Sequence, residues 1–576
     1  MTLLLGGLVI QQVVAESATT QELASAGCFE PLGGSFAGLQ LRHCSARSGT
    51  NDNNTSRCAL RGMIRLLPFI LLLGMGLGCR AREQVDALQP AAVEQVQRAT
   101  HRFIADPPPV EGLQPVLWVG LDDHLGAAAT AAPVNLRAFA GSLTLRDATG
   151  EFWSGSDFAI TWRSVPLAQP VELARRIAGP FASFESADRV ASRWRALGVA
   201  VEVAHPNEWE VWAPEGAPVP EGLAVRDWQG TLTTTVEPVL QTPEGGRTLK
   251  GPVSIEASDG LLWAGGRFRG PFRLQRDAYG SWTLVEQVPV ERYLEGVVPH
   301  EIGAGSPKAA LQAQTVLART WALANSHRFN IDGYHLCSDT QCQVYSDPRH
   351  AGGAVREAIA VTEGKLLSLN NEPISAVYHA TNGGVMAGGP EAWAMQPTTY
   401  LRPKPDGDAG WSNRHPLPLQ QRQAVLALLA DRTGAYGQQH PRFRWTRTLT
   451  GAGLRQALGA AAAPLASPLQ LQVLERGASG RVLALQISGS GDAAPVTLKL
   501  DAIRRTLRTL PSTLFVLQPQ GAERWLVRGG GFGHGAGLSQ AGAIDLAWRG
   551  WSVERILRHY YPGTVYGPLL PPLQSP

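Results

Sequence analysis

Cysteine is scarce in this chain. Its 576 residues contain six, and only Cys337 and Cys342 lie beyond residue 79. The body of the protein therefore has material for one disulfide at most. Charge of one sign is also missing: 51 Lys and Arg against 48 Asp and Glu leave a formal +3, with no basic stripe of the kind nucleic-acid binding requires. Long apolar runs are lacking too, since Leu66 to Leu77 is too short for an ordinary membrane span. The glycine-rich run GGGFGHGAG, Gly529 to Gly537, lacks the Gly-Lys-Ser/Thr ending of a phosphate loop. It reads instead as a close-packed backbone turn from which His534 projects.

What remains describes a globular body. Hydrophobic residues make up 44% of the chain, and its length exceeds one ordinary core, so two or three domains are expected. Sixteen tryptophans are many for this length, most of them core by default.

The first 62 residues show no sustained periodicity and read as a misassigned or disordered leader. Residues 63–79 read as an export signal: Met-Ile-Arg, an apolar stretch, then Gly78-Cys79, with Cys79 placed like a lipoprotein acylation site. Residues 80–114 form a polar linker containing Asp106-Pro-Pro-Pro. An exported protein of the periplasm or cell envelope, lipid-anchored at Cys79, is the expectation. Residues 115–249 alternate as a β-rich region, residues 250–565 form a larger second domain, and 566–576 are a tail. Within the first region, residues 171–214 read as a strand–helix–strand unit whose helix shows Ala187, Val190, Trp194 and Leu197 on one face.

The chain is organised around Glu301. Ser306 is a suitable N-cap and Pro307 suits the first helical position. A helix should follow, with Ala310, Ala313, Leu317, Trp321 and Ala324 on its apolar face and Lys308, Gln312 and Arg319 at polar positions. Glu301 precedes it in a segment with Pro299, Gly303 and Gly305, which reads as a loop. One reading is a surface carboxylate favoured by the helix dipole. The other is a general acid, which needs burial strong enough to overcome that dipole.

Five ordered segments carry a resemblance: VVPHEIGAGSPKAALQAQTVLART around Glu301, YHLCSDTQCQVY from Tyr334, YHATNGG from Tyr378, GGGFGHGAGLSQAGA from Gly529 and HYYPGT from His559. Together they resemble the SpoIID-like family, the stage II sporulation protein D and amidase enhancer proteins, which includes peptidoglycan lytic transglycosylases. The resemblance implies an α+β, multi-lobed fold, mixed β-rich lobes with helices around a central cleft. It implies Glu301 as the catalytic acid/base, and His379, Asn382, His534, Ser539 and Gln540 as substrate-binding residues lining the cleft.

Cys337 and Cys342 admit two readings, a local disulfide or, as the resemblance suggests, a zinc site completed by His335. The position before the second cysteine, a histidine in some relatives, is Gln341 here. Residues 171–214 resemble a SPOR-type glycan-binding module, with a ligand-free insertion as the rival reading. Glu391, Trp393 and Tyr400 are candidates for sugar-stacking surface, and Asp339, Asp347 and Glu391 for a second carboxylate.

The implied activity is cleavage of the MurNAc-β-1,4-GlcNAc bond with formation of a 1,6-anhydroMurNAc end. That reaction needs one carboxyl group, whereas hydrolytic glycosidases use two. The competing class is a non-catalytic glycan-binding enhancer of a cell-wall amidase. The implied partner in either case is the peptidoglycan glycan strand.

Overall fold

A computed structural model describes residues 98–112 and 114–568. The leader, the signal segment with Cys79 and residues 80–97 lie outside the described residues. The described end of the linker lies along the body: Ala99 bridges to Leu173, Arg102 donates to Thr235 Oγ1 at 3.0 Å, and the Pro108 carbonyl meets His335 Nε2 at 2.9 Å.

Short strands with alternating burial build two sheets. In Val134–Ala138 and Val253–Ala257 every second residue is buried, as expected of a sheet with one face on a core. One sheet has seven strands, with Val116–Leu125 and Phe272–Arg276 flanking Trp282–Pro289 on either side, all antiparallel. The other has eight and is dominated by two long strands, Asp157–Phe181 and Arg226–Thr242, paired from Ile160↔Leu240 to Ile177↔Arg226 with one register shift between Pro166 and Val171. Leu117, Leu145, Ile255 and Leu284 of the first sheet and Leu136, Ile160, Leu240 and Leu261 of the second bury their side chains in a single core.

This pairing corrects the expected boundary at residues 249/250. Each sheet contains strands from both sides of it, so a cut there would expose the core faces of both. The expected end at 565 also moves, because Val565–Gly567 pairs with Leu366–Leu369.

The strand–helix–strand unit is present, with helix Phe184–Arg195 and strands Glu202–Ala204 and Trp209–Pro214. Its helix buries Phe184, Ala187, Ala191 and Trp194, while Leu197 is exposed beyond the helix end. The unit is not a pendant module. It continues the long strand Asp157–Phe181, and its core includes Val285, Phe329, Tyr334 and Cys337.

Strand Trp282–Pro289 runs directly into helix Val290–Val298, and a π-helical turn, Pro299–Gly303, follows without a break. Helix Lys308–Ala324 comes next and is buried on nearly every side, including Gln314, Thr315, Arg319 and Thr320. Two details depart from the sequence reading. Ser306 does not cap this helix, because its hydroxyl donates to the Ile302 carbonyl at 2.7 Å and Pro307 takes the capping position. Arg319 is not a solvated polar position: its guanidinium is buried and donates to both Glu291 oxygens at 2.7 and 2.6 Å and to the Lys365 carbonyl at 3.1 Å.

Residues 444–530 form a further lobe of two three-stranded sheets and short helices with its own core, including Leu454, Leu485, Ile503 and Val527. Its helices include Gly451–Leu458 and Asp501–Thr506.

Removing one partner of a buried ion pair leaves the other uncompensated. Arg319→Ala should destabilise the protein by about 3 kcal/mol, read as a lowered midpoint in chemical denaturation. A loss under about 0.5 kcal/mol would show the pair to behave like a surface contact.

Candidate active site

Glu301 stands on the π-helical turn, not on a loop. The approach that completes its surroundings depends on Gly296, one turn earlier. A Cβ there would meet the Tyr345 ring at 2.4 Å, so only glycine lets segment 343–346 pass this close. Ser346 N–H donates to the Gly296 carbonyl at 3.0 Å, and Val344 N–H donates to Glu301 Oε1 at 3.0 Å. Beside it, Gln343 Nε2 donates to the Ala318 carbonyl at 3.2 Å and to Tyr293 Oη at 3.4 Å, while Gln343 Oε1 accepts from the Tyr378 hydroxyl at 2.7 Å.

The other wall comes from distant sequence. Tyr378–His379 pairs in parallel with Leu538–Ser539, joining the YHATNGG segment to the end of the glycine-rich turn. That turn needs glycine, since at Gly537, with φ 70°, a Cβ would meet the Val377 carbonyl oxygen at 2.0 Å. Gln540 follows, its amide donating to Gln314 Oε1 at 3.4 Å. Gln314 Nε2 is buried and has no partner in the protein.

Burial pushes the Glu301 carboxyl up to about 7, against the Val344 N–H bond and the nearby Gln540 amide and Tyr378 hydroxyl, which favour the ionised form. Burial thus outweighs the dipole of the following helix. Burial also raises Tyr378 and Tyr293, with the Glu301 charge as the next cause in both. The groups acting on Glu301 are an amide N–H, a carboxamide and a phenol. The candidate second carboxylates are committed elsewhere. Asp339 accepts from Gln341 N–H at 2.8 Å, Asp347 chelates Arg349, and Glu391 accepts from Gly388 and Ser479 N–H groups at 3.0 and 2.9 Å.

Of the five residues expected to line a cleft, Gln540 is the one that acts on Glu301. Asn382 and Ser539 are fully buried in structural roles, which corrects their assignment. Asn382 donates to Asp406 Oδ2 at 2.6 Å and accepts from Gly384 N–H at 2.9 Å, and Ser539 caps helix Gln540–Trp548 by accepting from Gly542 N–H at 3.1 Å. His379 is buried as well, its Nδ1 against the Ala536 carbonyl at 3.1 Å. His534 donates from Nε2 to the Tyr378 carbonyl at 2.8 Å and lies 4.5 Å from the Trp393 ring. Burial lowers it to about 3, so it is a neutral brace for the Tyr378 strand. Trp393 and Tyr400 are buried and offer no open stacking surface.

Asp406, Tyr378 and Gln343 went unread in the sequence. Asp406 is fully buried and receives Asn382, His559 and Tyr560, thereby tying YHATNGG to HYYPGT. Tyr378 and Gln343 both lay inside recognised segments, but their role depends on a contact across 35 residues.

The zinc reading is corrected. Cys337 and Cys342 form a disulfide, so neither sulfur is a thiolate able to bind metal. His335 is also committed, accepting from Trp118 N–H at 2.8 Å and donating to the Pro108 carbonyl at 2.9 Å. Gln341, between the cysteines, instead accepts from Trp209 Nε1 at 3.3 Å and Arg505 Nη1 at 3.1 Å.

Residues 278–369, which hold Glu301 and the disulfide, match a family described as stage II sporulation protein, and residues 387–537 match a domain of unknown function (DUF8618). Over 299 residues the chain is 28% identical to stage II sporulation protein D of Bacillus subtilis, covering 49% of this chain and 75% of that one. The Bacillus amyloliquefaciens protein of the same name is 29% identical over 295 residues, covering 48% and 74%. An amidase enhancer of Bacillus subtilis is 28% identical over 299 residues, covering 47% of this chain and 40% of its own. Over about half of its length the chain is thus similar to proteins of the stage II sporulation protein D family.

Two measurements check the site. The Cys337→Ser, Cys342→Ser double substitution should leave the free-thiol titre of the denatured, unreduced protein unchanged, whereas Cys337→Ser alone should add one thiol. A loss of two thiols in the double variant would mean the pair is reduced.

The second check is pH-dependent stability. Below about pH 4.5 the folded and unfolded states both hold the Glu301 proton; between there and about 7 the folded state keeps it and the unfolded state does not. Stability contributed by this group therefore falls as pH rises through that window, by on the order of 3 kcal/mol. Glu301→Gln should gain stability relative to wild type from pH 5 to pH 8 in thermal melts; a constant difference would mean an unshifted carboxylate.

Proposed function

We propose that this SpoIID-like protein, whose role is related to the cell wall, is a peptidoglycan lytic transglycosylase with Glu301 as general acid and then general base. The observation that carries the reading is a buried carboxyl raised to about 7, surrounded by an N–H, an amide and a phenol. Such a group is protonated in a useful fraction at neutral pH and can give up its proton without a second acid.

In the proposed step Glu301 donates its proton to the bridging glycosidic oxygen as the bond from that oxygen to the MurNAc anomeric carbon breaks. The C6 hydroxyl of the same sugar then bonds to the anomeric carbon, and its proton passes to the Glu301 carboxylate. The products are a free 4-hydroxyl and a 1,6-anhydro ring, and the carboxyl is regenerated without water. A hydrolytic mechanism would call for a second carboxylate at a set distance, and Asp339, Asp347 and Glu391 are engaged in other bonds.

The likeness to an amidase enhancer favours a second reading, glycan binding that assists a cell-wall amidase. The strand–helix–strand unit at 171–214 would add glycan-binding surface under either reading. The disulfide suits an exported protein of the envelope, and anchoring at Cys79 is part of the proposal.

Glu301→Gln discriminates the two. The purified wild-type protein should release 1,6-anhydro ends from cell-wall glycan and the variant at least a hundredfold fewer, read by mass spectrometry. Ends heavier by one water would indicate hydrolysis instead. No product from either protein would leave the binding role.

A further inference from the structure

Beside helix Val290–Val298, a hollow of about 210 Å³ is lined by Arg267, Arg269, Arg292, Arg349 and Arg356. Five guanidiniums around one small space repel one another unless something neutralises them. Two are neutralised within the protein, Arg267 by Asp259 and Arg349 by Asp347. Arg292 donates to the Gly270 carbonyl at 2.6 Å, leaving its buried Nε without a partner, and Arg356 donates to the Ala351 carbonyl. Among the described residues, Arg269, Arg292 and Arg356 form no ion pair.

The remaining wall contains Glu286, Glu295, Tyr345 and Pro348. Glu286 faces inward, accepting from Gly270 N–H at 2.9 Å and from the Tyr345 hydroxyl at 2.8 Å. After these carboxylates are counted, an excess of one positive charge remains, or two when Glu286 holds its proton, as its burial favours. That excess matches a single carboxylate better than a dense phosphate cluster. The volume exceeds a bare ion, and the Tyr345 ring and Pro348 supply apolar surface for the carbon skeleton attached to it.

The position ties the hollow to Glu301. Val344 bonds the Glu301 carboxyl while its neighbour Tyr345 lines the hollow. Tyr345 also stacks on Tyr293 at 4.9 Å, and the Glu301 charge bears on Tyr293. Arg292 precedes Glu301 by nine residues on one continuous helical segment, about 14 Å along its axis.

We propose that this arginine-lined hollow is a subsite for a carboxylate-bearing group of the polymer bound at Glu301, gripped by the guanidinium forks of Arg269, Arg292 and Arg356. The polymer's identity as peptidoglycan rests on the function proposed above; the carboxylate subsite does not. Guanidinium forks pair with carboxylates through two parallel hydrogen bonds, and of the three gripping arginines Arg292 and Arg356 are already held by the Gly270 and Ala351 carbonyls before any ligand arrives.

Isothermal titration of the whole protein with succinate and, separately, inorganic phosphate tests the subsite. Wild type and Glu301→Gln should bind succinate alike, more weakly at higher salt. The Arg269→Ser, Arg356→Ser variant alters two exposed side chains and should bind at least tenfold more weakly with an unchanged melting temperature. Absence of succinate binding by wild type, equal binding by the double variant, or binding of phosphate but not succinate would each overturn the assignment. On glycan substrates the double variant should raise KM for strands that carry free carboxylates, on peptides or on lactyl groups, and leave strands whose carboxyl groups have been esterified unaffected. Full activity in Glu301→Gln alongside weakened succinate binding in the arginine variant would remove the catalytic reading and keep the subsite.

Discussion

A half-buried, poorly solvated carboxyl group on the turn that follows helix Val290–Val298 is the constraint around which the other elements are arranged. Charging Glu301 in that setting is unfavourable, and three hydrogen-bonding groups reduce the cost without cancelling it. Each arrives on a different element: Val344 on the segment after the disulfide, Tyr378 on a two-residue strand, Gln540 at the start of a helix. Gly296, the close turn at Gly537 and the buried helix Lys308–Ala324 all serve to let these elements approach. The balance is between desolvation and a few neutral donors, so the carboxyl sits near neutrality and responds to small changes in what touches it.

The sequence made some of this legible and hid the rest for definable reasons. Alternation pointed to a β-rich region over residues 115–249, and three- and four-residue spacing to the helix beginning at Lys308. Sheet membership was not legible. Nothing local records that Trp282–Pro289 lies beside Val116–Leu125, across more than 150 residues, and this pairing is what dissolves the boundary drawn at 249/250. Arg319 was misread because its charge suggested solvent, while its partner Glu291 is 28 residues away.

The site residues followed the same division. Glu301 stood out through its segment, and its burial was the condition its acid role required. The family resemblance implies Asn382, Ser539 and His379 as cleft residues. They are buried and hold their glycine-flanked motifs together, with Asp406 as the shared acceptor for Asn382, His559 and Tyr560. A motif of this type records a demanding backbone geometry as readily as a ligand contact. The cysteine pair was ambiguous for a similar reason, since five residues of separation suit either a disulfide or metal ligation.

The parallel pairing of Tyr378–His379 with Leu538–Ser539 has a consequence for biosynthesis. One flank of the carboxyl is delivered only when residues near 540 have emerged, well over two hundred positions after Glu301 itself. A nascent or truncated chain ending before that point carries an ordinary, solvated glutamate. The surroundings that raise the Glu301 carboxyl are therefore complete only once the segment around residue 540 has been made and folded against Tyr378.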